Sequence, residues 1–480
     1  MCDHGSPGAR IGRSLMTRRQ HLAAMAGAGL AGAAAARSAA ASSQKEGGAA
    51  SEPPEVLVAY LRPKEKYWLG WPGTAWDVEG FISKSRGLVE GFGRDLGVRT
   101  AFEPEPLYDA AAVDRFLAKV EEQKPAAILL FPLHMDRWGF VGKLANGTVP
   151  TIIFAPLGVC FTGHIAEISR RPKTYLASST DFELGPVRFG LKMVRTAWDL
   201  QRTKVAVVAG GEAKETVLEP LGLKLAYLPR RTFPETLKEI AVTPEVREIA
   251  EEYRKAALRI VEPTEEDLLN ASRNYFAAKR IMEEHGCRGI TMDCLGLVGS
   301  REIPCPPCLA WSKLLDAGIP GVCEADTNAV MSHSVCCALL DKPGFMQDPV
   351  PHTVANTFIG AHCVSPTRLR GYREPREPFA LRSHAESDLG VAVQVFWKEG
   401  QEVTILQFVG PSKMILGKGV VLRNLEAPPA GGCRTSVELA IDGPADTRDT
   451  KGFHQLFIYG DHVRDFQAFG QLYGIATEHI

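Results

Sequence analysis

The stretch Gly321-Val322-Cys323-Glu324-Ala325-Asp326-Thr327-Asn328 reads as a buried strand turning into a helix. Just before it, Gly318-Ile319-Pro320 closes one helix and opens the strand. Just after it, AVMSHSVCCALL continues as an apolar helix. Such a strand-to-helix junction belongs to an α/β fold. Carboxylates placed there are costly to desolvate unless something pairs with them. Glu324 therefore either caps the helix, in competition with Asp326 and Thr327, or holds a partner.

Outward from that junction, the chain from Glu55 alternates strand and helix. EVLVAYL, VRTAFE, AAILLF and TIIFA are short apolar runs. Between them lie the helical segments WDVEGFISKSRGLVEGFGRDLG and YDAAAVDRFLAKVEEQ and the shorter WGFVGKLANG. Alternation of this kind predicts a parallel sheet covered on both faces. TYLASS and KVAVVAGG read as strands of a second unit that starts near Lys173. Two long charged helices follow, the second capped by Thr264 and ended by Gly286, and RGITMD is a further strand. The run VVAGGEAKE lacks the G-x-G-x-x-G spacing and reads as a plain strand-to-helix turn, with no nucleotide implied.

Beyond about residue 345 the texture changes. AVQVFW, EVTILQFV, TSVELAI and HQLFIYG are β-rich runs separated by turn residues, and HVRDFQAFGQLYG is a final helix. The expected architecture is two doubly wound, Rossmann- or flavodoxin-like α/β units followed by a β-rich, barrel-like C-terminal domain. The expected bounds are 1–52 for an export signal and linker, 53–172 for the first α/β domain, 173–345 for the second, which carries the acidic loop, and 346–480 for the β-rich domain.

Over 480 residues, 55 Lys and Arg balance 56 Asp and Glu, for a formal net charge of −1. That balance leaves no electrostatic footprint for nucleic acid or an anionic membrane, so the expected partner is a small molecule. No apolar run in the body of the chain is long enough to span a bilayer. Thr17-Arg18-Arg19-Gln20-His21-Leu22, followed by AAMAGAGLAGAAAA, resembles a twin-arginine export signal, with His21 as the departure from the usual pattern. That resemblance implies the twin-arginine translocase as a partner and a periplasmic or extracellular destination. Cargo of this route folds in the reducing cytoplasm, which leaves buried free thiols plausible among the eleven cysteines. Cys305-Pro306-Pro307-Cys308 is a lone CxxC, open to a disulfide or a thiol pair and poorly suited to zinc.

Past the junction, Asp348 sits in GFMQDP, His362 in NTFIGAHC and His454 in FHQLFIYG. A helix between two strand ends brings both ends to one sheet edge, where open α/β sheets bind ligands. Two carboxylates and two imidazoles from separate elements match the ligand set of Mn²⁺, Co²⁺ or Fe²⁺. Hard oxygen ligands disfavour copper, and the lack of thiolate disfavours structural zinc. Each residue also has a plainer role, as a helix cap, an Asp-Pro turn or a hydrogen-bonded core histidine.

The segment PPCLAWSKLLDAGIPGVCEADTNAVMSHS resembles the L-fucose/L-arabinose isomerase family, metal-dependent aldose–ketose isomerases of three-domain build. Glu324 and Asp348 are 24 positions apart (348 minus 324), like the ligand spacing of fucose isomerases. His454 and Gly460 in FHQLFIYGDH match the family's C-terminal segment, and His362 in GAHCV resembles the further histidine of arabinose isomerases. SHAESDLGVAVQVFWKEGQEVTILQFVG is similar to the family's C-terminal domain.

The resemblance implies Glu324 and Asp348 as both metal ligands and acid/base groups, with His454 and His362 completing the coordination, in an isomerisation through an ene-diol. It also implies a divalent metal, Mn²⁺ first and Co²⁺ or Fe²⁺ next, a sugar substrate, and a homo-oligomer whose pockets a neighbouring subunit completes. Trp76 and His384 are the expected sugar contacts. Trp76 closes the aromatic segment KYWLGWPGTAW, with Trp68 and Trp71, which equally suits core and turn packing. A non-catalytic carbohydrate-binding protein of the same fold and a metal-dependent sugar epimerase are the alternatives.

Overall fold

The structure is a computed structural model that describes residues 52–67, 76–425 and 433–480. The expected export segment, and Trp68 and Trp71, lie outside the described residues. Residues Pro53–Ile480 form one compact unit. It contains parallel-sheet α/β layers and a closed antiparallel barrel.

The first sheet is parallel, with strands β1 (Glu55–Leu61), β2 (Arg99–Phe102), β3 (Ala127–Pro132), β4 (Thr151–Pro156) and β5 (Thr174–Ser179) in the order β2-β1-β3-β4-β5. That is the flavodoxin-like strand order. Alternate side chains of β1 feed two separate cores. Val56, Val58 and Tyr60 pack with Val89, Val187 and Leu191, whereas Leu57, Ala59 and Leu61 pack with Val113, Phe116 and Val141. Helices α1 (Val78–Leu96) and α4 (Gly185–Leu200) therefore cover one face, and α2 (Ala110–Gln123) and α3 (Trp138–Leu144) the other. This two-sided burial is why the strands read as unbroken apolar runs. Local signals agree with the bounds: Asp77 and Asp109 cap α1 and α2, and Gly97 ends α1 in the left-handed conformation.

TYLASS does not open the second unit. It is the edge strand of the first sheet, paired in parallel with Thr151–Pro156, and the helix behind it packs on that sheet. The boundary expected at residues 172 and 173 thus falls inside the first layer. An edge strand whose residues beyond Thr174 are only half-buried carries too little apolar character to declare its sheet.

The second sheet runs β11-β10-β6-β8-β7. Its strands are β6 (Lys204–Val208), β7 (Lys214–Leu218), β8 (Leu223–Leu228), β10 (Ile290–Met292) and β11 (Gly321–Val322), with β7 antiparallel to β8. The glycines of VVAGGEAKE therefore lead into a strand, not the expected helix. A short strand, β9 (Arg259–Ile260), pairs outside this sheet. Helices α5 (Thr232–Glu239), α6 (Pro244–Ala256), α7 (Glu265–Glu284) and α8 (Cys308–Asp316) accompany the sheet. Thr264 and Asp267 form the capping box of α7, as its sequence suggested. Helix α9 (Thr327–Leu340) leaves β11. It is buried on nearly all sides, which explains its all-round apolar sequence.

The C-terminal part closes on itself. Strands β12 (Phe345–His352), β13 (Thr357–His362), β16 (Glu402–Phe408), β17 (Lys413–Asn424), β18 (Thr435–Asp442) and β19 (Gln455–Tyr459) follow one another as β16-β19-β12-β13-β18-β17. Pairing of β16 with β17 then shuts the ring, leaving no free edge among these six strands. Strand β20 (Ala476–His479) joins β17, and α10 (Val463–Tyr473) precedes it. Strands β14 (Phe379–Arg382) and β15 (Ala392–Val395) form a separate three-stranded sheet with β9, in the order β15-β14-β9. One continuous core links Trp311, Val330 and Cys336 of the α/β layer to Leu406, Phe408 and Leu456 of the barrel. Among the described residues, no helix is long and apolar enough to cross a membrane.

Candidate metal centre

Barrel register brings three of the four expected ligands to one end of the barrel. Gln347 pairs with Gln455 across β12 and β19, so Asp348 and His454 are the next residues of those two strands. Asp348 pairs with Ala361 across β12 and β13, which places His362 one position further along. The expected sheet edge is therefore corrected. Asp348 belongs to the barrel, and only Glu324 comes from the α/β layer, where it follows β11.

The loop that presents Glu324 is strained. Glu324 and Ala325 both have left-handed backbones, at φ 62° and 54°, and His454 is at φ 55°. Each non-glycine residue there costs roughly 1–2 kcal/mol. Such outliers persist only where surroundings over-determine them, and they cluster at functional sites. Here the Ala325 N–H donates to the Met292 carbonyl at 3.0 Å, tying the loop to the neighbouring strand. The buried side chains of Cys294 and Cys323 pack beside this loop. Glu324 is not the helix cap. Asp326 is, accepting from the N–H groups of Asn328 at 2.7 Å and Ala329 at 3.0 Å.

Released from capping, Glu324 faces both imidazoles. Its Oε1 lies 3.6 Å from His362 Nε2, and its Oε2 lies 3.5 Å from His454 Nε2. The same His454 Nε2 is 3.2 Å from Asp348 Oδ1. Both His454 Nε2 and Asp348 Oδ1 are buried without a hydrogen-bond partner. The other imidazole nitrogen of His454, Nδ1, is 2.7 Å from Asp326 Oδ2. A carboxylate holding the far nitrogen fixes the tautomer of a ligating histidine.

These atoms fit a divalent cation. Two donors each about 2.1 Å from one ion stand about 3 Å apart at right angles and about 4 Å apart when opposite. The separations of 3.2, 3.5 and 3.6 Å fall in that interval. Of the four expected ligands, Glu324, His362 and His454 have donor atoms close enough together for one ion, and Asp348 stands outside that trio, in contact with His454. His362 fits less simply than His454. Its Nδ1 accepts from the Val364 N–H at 3.3 Å, so its proton sits on Nε2, towards Glu324. Ligation through Nε2 would move that proton to Nδ1 and give up the contact.

Charge at the site runs the same way. The imidazoles of His362 and His454 outweigh burial and hold the Glu324 carboxyl far below the usual range. Burial works against a charge on His454, yet Asp326, Asp348 and Glu324 overcome it and push its pKa up to about 11. Burial also opposes charge on His362, and Glu324 and Asp348 again raise it. Without a cation, the carboxylates thus hold a proton on His454, and positive charge sits beside Glu324 and Asp348 in either state. The histidine rings are buried while Glu324 and Asp348 keep 30% and 34% of their side-chain surface exposed. The carboxylates therefore line the open side, within reach of a small molecule.

Three further residues have no counterpart in the sequence reading. Asp326 was expected only as a rival cap and also holds His454. His333, on α9, is fully buried with both ring nitrogens unpartnered, and burial, then His362, hold its pKa down to about 3. Gln407 supports the His454 segment. A buried histidine and a strand glutamine carry no distinguishing sequence signal.

The expected sugar contacts are not part of this cluster. Trp76 packs against Phe81 at 5.5 Å between ring centres, and beside it lies a cavity of about 670 Å³ lined by Arg62, Tyr67, Asp77 and Glu79. Trp76 itself lines that cavity as well as packing in the first layer. His384 is buried, with Nδ1 3.0 Å from Ser387 Oγ. All ten described cysteines are free, Cys305 and Cys308 included.

No family model and no curated protein matches the chain. Among solved structures it is similar to the 5-methylthioribose transporter solute-binding protein of Thermotoga lettingae, with 13% identity over 50% of this chain and 68% of that one and a TM-score of 0.18. It is also similar to an ABC-transporter solute-binding protein of Agrobacterium vitis bound with α-D-tagatopyranose, with 12% identity over 51% and 78% and a TM-score of 0.17.

Proposed function

We propose that the chain is a metal-dependent aldose–ketose isomerase acting on a sugar. The observation that supports this reading is the meeting of Glu324, His362 and His454 within reach of one ion, with Asp348 3.2 Å from His454 Nε2 and His454 Nδ1 tied to Asp326. A Mn²⁺-type cation held by these residues, with His362 beside them, supplies positive charge that favours an oxyanion beside the carbon that loses its proton.

The protein groups do the rest. Glu324 and Asp348 both approach His454 Nε2 and keep part of their side chains exposed, so each can present a carboxylate oxygen to a bound sugar. One takes the proton from the carbon beside the carbonyl and returns it to the neighbouring carbon. Glu324 stays ionised beside a cation, as it does beside the imidazoles without one, and the carboxylate is the form a base needs. Asp326 keeps the proton of His454 on Nδ1, so Nε2 stays a donor of electrons to the centre.

The reading includes export in the folded state through the twin-arginine translocase, and assembly as a homo-oligomer. It is tested by metal analysis of the full chain beside the Glu324→Gln/Asp348→Asn variant, followed by a screen of aldoses for ketose formation. About one bound Mn, Co or Fe, with turnover of at least one aldose lost in the variant, upholds it. A folded wild-type protein without metal or turnover, but with sugar affinity, replaces it with the binding-protein reading. Exchange of configuration at one carbon without ketose release identifies an epimerase.

A further inference from the structure

His454 ends the turn Lys451–Phe453 that leads into β19. Gly452 and His454 are both left-handed, at φ 95° and 55°. Glycine adopts that conformation freely and histidine does not, so the position of His454 has to be imposed. The restraint comes from another strand. Gln407, on β16, is 7% exposed, and its amide grips the Phe453 residue from both ends. The Phe453 N–H donates to Gln407 Oε1 at 3.0 Å, and Gln407 Nε2 donates to the Phe453 carbonyl. That carbonyl belongs to the peptide plane leading into His454, and the φ of His454 is the rotation that follows it. Gly452 makes room for the grip, since a Cβ there would lie 2.1 Å from Gln407 Oε1.

A second pair of amides closes the turn from the other side. Gln455 Nε2 donates to the Lys451 carbonyl at 2.5 Å, and Gln455 Oε1 accepts from Gln347 Nε2 at 2.9 Å. Gln347 and Gln455 are both fully buried, and they adjoin Asp348 and His454 in sequence. Buried side-chain amides are kept only where their hydrogen bonds are made. Here Gln455 bonds the backbone of the turn that leads to His454, and Gln347 holds Gln455, while Gln347 Oε1 is left without a partner.

We propose that Gln407 is a positioning residue for the metal centre, holding His454 in the left-handed conformation that directs Nδ1 to Asp326 and Nε2 to Glu324 and Asp348. Its consequence for metal binding rests on the isomerase reading above; the grip itself does not.

The test uses the full chain in two measurements. Proton NMR of the metal-free protein follows the downfield Nδ1–H of His454, held by Asp326 and assigned by its loss in His454→Gln. Titration with Co²⁺ or Mn²⁺ then gives affinity. Gln407→Leu, which removes both hydrogen bonds at similar size, should shift or abolish the resonance and weaken metal binding about 10- to 100-fold. Gln407→Glu, which keeps the acceptor and loses the donor, should fall between. Gln394→Leu, another buried glutamine placed on β15, should leave both readouts as in wild type whatever it costs in melting temperature.

A folded Gln407→Leu with unchanged resonance and affinity overturns the proposal. If that variant does not fold, an unchanged resonance in both Gln407→Glu and Gln407→Asn does so. A wild-type protein that binds neither metal sinks the isomerase reading, while the resonance still decides for or against the grip.

Discussion

His454 Nδ1 lies 2.7 Å from the same Asp326 carboxylate that caps helix Thr327–Leu340. One side chain therefore sets the start of a core helix and the tautomer of a ligand from the barrel. The two duties separate on substitution. Asparagine caps as well as aspartate, so Asp326→Asn should keep the cap and lose stability only through its ion pair with His454. Removing the carboxylate behind His454 should still weaken Mn²⁺ or Co²⁺ binding about 10- to 100-fold. Asp326→Ala should add a cap loss of about 0.5–2 kcal/mol. Calorimetric metal titration with thermal melts checks both, and full affinity in Asp326→Asn would exclude the tie.

The pH dependence of the metal-free protein follows from the same contacts. His454 has a folded pKa of about 11, above the ordinary histidine value of about 6.5. Its contribution is complete below that ordinary value and is lost as pH rises towards the folded one. Glu324 is shifted the opposite way, so its share is present above the ordinary glutamate value of about 4.3 and lost on acidification. Both shifts report one interaction and are not to be added. Melting temperature should decline between pH 7 and pH 10 more steeply in wild type than in His454→Gln; parallel curves would refute it.

Metal binding runs against that proton. Raising the pH from 6 to 8 should tighten Mn²⁺ binding, because His454 must lose its proton to ligate. Free Mn²⁺ at about a hundred times its dissociation constant should stabilise the fold by about 2.7 kcal/mol. Chelation should reverse the gain, and Glu324→Gln/Asp348→Asn should not show it. Denaturant melts with and without metal measure the difference.

A structural prediction concerns the wall behind the ligands. A Cβ on Gly360 would lie 2.3 Å from Phe457 Cε2, inside the packed barrel. Gly360→Ala should therefore destabilise the protein by about 1–3 kcal/mol through overpacking. A urea midpoint equal to wild type would mean that the Phe457 ring moves freely aside.

The α/β class was legible because strands such as Glu55–Leu61, covered on both faces, must be apolar at every position. Barrel strands were legible as β-rich runs, but ring closure was not, since it depends on register among distant strands. The Thr174–Ser179 strand was assigned to the wrong layer because its partner, not its composition, decides its sheet. At the candidate centre, Glu324 and Asp348 stood out by charge in apolar surroundings. Gln407 did not, because a buried glutamine in a strand looks like any outward-facing polar residue until its partners are known.

The left-handed Glu324 and His454 are 130 residues apart (454 minus 324) and belong to different layers. Contacts so distant in sequence carry a large loop-closure entropy and depend on a completed barrel. An occupied centre is thus a molecular signature of maturity: a chain that has captured its cation has already joined both layers, and a truncated or half-assembled one offers too few ligands to compete for it.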